Sequence, residues 1–343
     1  MSRRVIVQRS TRASRLGGVV FVIGVGVLAA APALFVNSAL RTLVQFFYLL
    51  ALAQMWNLLA GYAGLVSIGQ QAYVGIGAYA LLAFTNNLGV NVFVAVALAG
   101  LVAAVLAVPT AALVFRLRGG YFAIGTWVVA EVYRLLVANT QRLGGGSGAT
   151  IAVTGVDRTT RLYVTYWIAL ALGLGSVLLV YYLLRTRLGL ALRAVRDRES
   201  AAPTLGIDVY RTKVKVYVLA SAVSGLTGAV IYLSLLRLQP EATFSVNWTA
   251  FMIFAVVIGG IGTITGPLVG TIVYFLLQQY LADLGSVYLI ILGTIAVLVM
   301  LVAPRGLWGL IIGRWNLTFF PTQLRVQVLA QPPAPDESEM IRE

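Results

Sequence analysis

The chain of 343 residues contains no cysteine and no histidine. The first absence excludes disulfides and thiolate chemistry, and the two together exclude zinc sites and histidine proton relays. Charge is scarce as well. Only 10% of residues are charged, 11 acidic against 25 basic, where a soluble domain carries about a quarter. No GxxxxGK[ST] phosphate loop and no aspartate-rich phosphate site occurs, so any ATP-driven step must be powered by another subunit.

What is abundant is apolar: 60% of residues, with a mean hydropathy of +0.91. Apolar runs fall at about 19–36, 42–60, 66–85, 90–115, 119–138, 163–184, 214–236, 249–281 and 285–303. Most approach the roughly 20 residues that cross a hydrocarbon core of about 30 Å. The pattern predicts an all-α, polytopic transmembrane helical bundle with about 8 to 10 membrane segments. Residues 1–18 form a basic arm, 19–312 the membrane domain and 313–343 a tail expected to be partly disordered. The arm and first run superficially resemble a signal peptide. They lack a small-residue cleavage site followed by a polar mature region, so the run is expected to be a first transmembrane helix.

Basic residues set the orientation. With the arm in the cytoplasm, strict alternation also places residues 116–118, 185–215 and the tail from Arg305 there, collecting 19 of the 25 basic side chains. This is the positive-inside rule, and it puts both termini in the cytoplasm. The charge lies between spans rather than on one face, so nucleic-acid binding is not expected. The tail adds a condition. The 33-residue run 249–281 must enter and leave on one side, and its glycine-rich middle predicts a re-entrant pair of short helices meeting at mid-membrane.

Two stretches share a design: GYAGLVSIG (61–69) and GGIGTITG (259–266) mix glycines with hydroxyl side chains. Glycine-broken segments in the two halves of a chain point to a transporter's binding region. On a helix starting at Ser67, the 100° step groups Ser67, Gln70, Gln71, Val74 and Ala78 on one face, with Gly69, Ala72 and Gly75 on another. The candidate path residues are Ser67, Gln70, Gln71, Tyr73, Glu131, Arg134, Thr263 and Thr265. Gly61, Gly64, Gly69, Gly75, Gly77, Gly259, Gly260, Gly262 and Gly266 are candidate breaks or close-packing points. Packing with interhelical hydrogen bonding is the favoured reading of any one of these residues, with direct lining of a solute path as the alternative. Glu131 and Arg134, three apart, pair with each other or meet the ammonium and carboxylate of a zwitterion.

Two loops remain. Residues 139–162 form a turn-rich external loop, either a partner surface or an idle connector. In the cytoplasmic loop 185–213, a short surface helix is expected over 191–202, ended by Pro203 and Gly206. The acidic residues interleaved among its arginines favour a soluble protein partner, with anionic lipid headgroups as the alternative.

Five motifs in order resemble the membrane permease subunit of bacterial ABC importers for branched-chain amino acids, over roughly 54–310. They are NLLAGYAGLVSIGQQAYVGIGAY (57–79), Glu131, Arg134 and Asn139 followed by the glycine-rich stretch 144–148, LRAVRDRESAAPTLGI (192–207), IGGIGTITGPLVGTIV (258–273) and APRGLWGL (303–310). The resemblance implies alternating access in a bacterial inner membrane. Its implied partners are two ABC ATPase subunits holding ATP and Mg, a second homologous permease, an extracytoplasmic solute-binding protein and membrane lipid. It also implies a coupling loop using Arg193, Arg196, Asp197, Glu199, Ala201, Ala202 and Gly206. Gln70 stands where the family has histidine, so no imidazole role carries over. Ser147, Gly148 and Ala149 stand where it has Asn-Gly or Asp-Gly. Urea and amide permeases of the same superfamily share these motifs, and an ion-coupled secondary transporter is the rival from another class.

Overall fold

The computed structural model describes residues 5–8, 24–153, 155–281, 287–303, 306–315 and 325–328. Most of the arm 1–18 and the tail 313–343, with Arg305, lies outside the described residues. After a helical stretch at 24–29 and Ala31–Leu34, α1 (Asn37–Asn57) continues through a wider π turn at Leu58–Tyr62. Next come α2 (Gln71–Leu82), α3 (Val92–Val114), α4 (Gly120–Ala138) and α5 (Arg158–Leu184). A short α6 (Arg187–Asp197) precedes α7 (Val209–Leu235), α8 (Val246–Gly259), α9 (Gly266–Leu281), α10 (Val287–Val302) and α11 (Gly306–Trp315). Seven helical stretches among the described residues are long and apolar enough to cross a membrane. The protein is an all-α polytopic membrane protein.

The bundle has two ends. One gathers residues 83–91, 139–157 and 236–245, where Ala149–Thr150 pairs antiparallel with Arg237–Leu238 and the Asn86 side chain bonds the backbone of Thr150 and Ala152. The other gathers 57–64, 115–119, 185–208 and 259–266. Val5–Gln8 pairs with Arg325–Val328, bringing arm and tail together.

Helices start where a side chain satisfies the free amides of their first turn. Asn91, Asp157, Asp208 and Ser245 accept from Phe93, Thr159, Arg211 and Asn247, opening α3, α5, α7 and α8. Asp157 therefore begins α5 at Arg158, so the loop after α4 is shorter than the 139–162 expected. Asp208 likewise starts α7 before the expected boundary at 213. Small residues set the interior spacing. Ala95, Ala99, Ala103, Ala107 and Ala111 recur every fourth residue on the buried stripe of α3. Gly77 packs on the Gly225 carbonyl and Gly228 on the Val74 carbonyl, so α2 and α7 touch backbone to backbone.

Three further expectations are corrected. Residues 64–70 are not helical but cross in irregular backbone, so Ser67 and Gln70 do not share a helix face with Gln71. Tertiary bonds hold that form: Trp56 Nε1 donates to the Ser67 carbonyl at 2.8 Å, and the Ile68 amide donates to Thr126 Oγ1 at 3.2 Å. The turn 260–265 is not half-way along the bundle either. It lies against residues 57–61 at the end of α1, because α8 runs about 21 Å at 1.5 Å per residue from the level of Tyr48, beside Trp248, to that end. The surface helix also differs, spanning 187–197 instead of 191–202; a 3₁₀ turn at Ala202–Leu205 and Gly206 in left-handed conformation follow it.

Candidate functional site

An open cleft of about 240 Å³ lies between α4 and the turn leading into α8. Gln71, Trp127, Glu131, Arg134, Glu241, Phe244, Ser245 and Val246 line it. Arg134 Nε donates to Glu131 at 2.9 Å, the pairing expected from their spacing. Glu131 remains 48% exposed and Arg134 23%, on a helix face that also exposes Tyr121, Ile124 and Val128. Gln71 reaches the cleft from α2, its carbonyl accepting from Thr249 Oγ1. Two carboxylates against one guanidinium leave the cleft net negative, and the glutamine adds a neutral hydrogen-bonding group.

Only Gln71, Glu131 and Arg134 of the eight candidate path residues line this cleft. Gln70 donates to Ser224 at 3.1 Å and Tyr73 to Tyr217 at 3.1 Å, both inside the bundle. Ser67 Oγ accepts from the Gly69 amide. Thr263 accepts from the Gly266 amide at 3.0 Å, capping α9, and Thr265 is buried beside it.

The glycine breaks meet at the opposite end. Gly61 packs directly on Gly262; a β-carbon at Gly61 would lie 2.6 Å from the Gly262 nitrogen. Asn57 bridges them, accepting from the Gly262 amide and donating to the Thr263 carbonyl, each at 2.9 Å. Gln54 donates to the Ile264 carbonyl at 2.8 Å. Arg196 of α6 donates to the Gly61 carbonyl at 2.8 Å, and its Nη1 stands beside Gly262. Gly64, at φ +69°, turns the chain here under α6. Gly69 packs on Thr126, Gly75 on the Phe244 ring, and Gly259 on Gly266, with Gly260 at the turn's start.

α6 buries Gly189, Leu192 and Val195 and exposes Asp197. Arg193 is half-buried, Ala201 and Gly206 are exposed, Ala202 is buried, and Glu199 pairs with Lys213 at 2.6 Å. Sequence reasoning missed Gln54, Asn57, Glu241 and Ser245 as site residues. The first two carried a signal, amides three apart in a buried apolar helix.

The family described as branched-chain amino acid transport system, permease component, matches residues 38–304. The chain belongs to this family. LivM, the high-affinity branched-chain amino acid permease of Escherichia coli, is 27% identical over 84% of this chain and 74% of its own length. LivH of Methanocaldococcus jannaschii, a probable branched-chain amino acid permease, is 30% identical over 43% of the chain and 48% of its own. The ribose import permease RbsC of Bacillus subtilis is 34% identical over 40% of the chain and 44% of its own. No solved structure matches. In this permease the family match spans α1 to α10, and so both the cleft and the glycine contact.

Proposed function

We propose that this permease is the membrane subunit of an ATP-driven importer of branched-chain, hydrophobic amino acids in the bacterial inner membrane, working by alternating access. It has no ATPase site; ATP and Mg are held by two partner ATPase subunits that dock on α6 and the loop to Gly206. A solute-binding protein delivers substrate at the 139–157 end. The membrane domain comprises ten segments, with α8 and α9 forming a hairpin that turns at the 259–266 end, and both termini are cytoplasmic. The basic residues concentrated at the 185–208 end and the pairing of arm with tail support that orientation.

The single observation that carries the reading is the Glu131–Arg134 pair on the uncovered face of α4. Charges facing lipid cost roughly 3 kcal/mol each at mid-bilayer. A second permease covering that face turns the open cleft into a shared path, where Glu241 receives the substrate ammonium. The test is uptake of labelled leucine by proteoliposomes holding both permeases, both ATPases and the binding protein. Accumulation that requires ATP is expected. Accumulation that persists without ATPase subunits, driven by an ion gradient, would defeat the proposal, and urea or ribose outcompeting leucine would reassign the substrate.

A further inference from the structure

At the 139–157 end, α1, α5 and α7 diverge and leave a second cavity of about 610 Å³. Three arginines line it, Arg41 from the second turn of α1 and Arg158 and Arg161 from the first turn of α5. No aspartate or glutamate lines it, and none of the three forms an ion pair among the described residues. Like charges gathered around one space repel unless an anion joins them. Thr165 supplies an independent sign. It lines the same cavity at 2% exposure, and its hydroxyl has no hydrogen-bond partner. Several buried threonines here bond a carbonyl four residues back, as Thr110 and Thr227 do; Thr165, like Thr271, does not. The N-termini of α1 and α5 add partial positive charge, opposed by the C-terminus of α7.

We infer that this cavity binds a phosphate-type anion, either the phosphodiester headgroup of an anionic membrane lipid or free phosphate. Guanidinium forks match phosphate oxygens in pairs, which a point charge cannot do. The headgroup is the better fit to the position. The cavity sits where three candidate spans end, the level that headgroups occupy. Leu235, which also lines it, is 61% exposed and gives an acyl chain an apolar exit.

The test uses the full chain, co-purified with its partner subunits, in nanodiscs of phosphatidylcholine with and without phosphatidylglycerol. Retained lipid is counted by native mass spectrometry, and thermal unfolding is followed in parallel. One phosphatidylglycerol per chain is expected, held about fivefold more weakly for each of Arg41→Gln and Arg158→Gln. Arg118→Gln, at the other end, should retain it as the wild type does. Inorganic phosphate that stabilises the wild type and not the variants, with no lipid retained, assigns the site to the free anion. Equal retention in wild type and variants with no phosphate response overturns it. Where a glutamine variant does not fold, the wild type alone decides: no stabilisation by either anion sinks the site.

Discussion

Arg196 joins three elements through one side chain, because its guanidinium leaves α6, donates to the Gly61 carbonyl and lies against Gly262. Under the proposed function, a movement of α6 on docking would be carried to the point where both glycine breaks touch. A charged hydrogen bond is worth up to ~3 kcal/mol when buried; at 41% side-chain exposure this one is discounted to about 1 kcal/mol. Arg196→Gln should cut solute transported per ATP hydrolysed about fivefold while ATPase activity persists, measured in the reconstituted complex. Gly61 tests the same contact sterically. A β-carbon there has no room beside Gly262, whereas one at Gly120 meets nothing. Gly61→Ala is expected to lower stability by about 1–3 kcal/mol and Gly120→Ala not to, as read from thermal unfolding in detergent.

α6 shows how one element divides its faces. Leu192 and Val195 anchor it to the bundle, leaving Leu190 at 64% exposure and Leu205, in the following turn, at 71%. Two large apolar side chains standing out among arginines are suited to a partner's cleft, where each burial contributes about 1.5–3 kcal/mol. Leu190→Asp and Leu205→Asp should each abolish co-purification with the ATPase subunit yet leave membrane insertion intact. α5 offers a pH test. The Thr159 and Arg158 amides hold the Asp157 carboxyl below the usual range, so its capping is complete at neutral pH and fades as pH falls past about 4 toward the depressed value. Amide exchange over 158–161 should show that loss in the wild type and not in Asp157→Asn. Spans such as α3 and α7 were legible because apolar runs of that length have one use. The irregular segment 64–70 was not, since Ser67 to Gln71 carries a helical period and only Trp56 and Thr126, distant in sequence or on another helix, override it. Gln54 and Asn57 were obscured for a related reason: their partners lie more than 200 residues away.

At the scale of the molecule, the proposed path makes the cleft half a site. α4 is the least enclosed of the seven candidate spans, and it carries the Glu131–Arg134 pair outward. α3 also exposes a face, with Leu101, Val105 and Val108, but that face is wholly apolar and suits lipid. The difference predicts which surface a second permease covers, and the absence of cysteine makes the measurement clean. Val128→Cys and Val132→Cys place single thiols on the α4 face, and Leu101→Cys and Val105→Cys on that of α3. None of the four touches the charge pair's own atoms, so transport should survive each. In the chain expressed alone, a membrane-soluble maleimide should label all four. In the assembled importer the two α4 thiols should be protected several-fold and should form cross-links to cysteines on the partner permease, while the α3 thiols label as before. Protection on α3 with free labelling on α4 would place the partner on the other side of the bundle, and the Glu131–Arg134 cleft would then face lipid rather than a path.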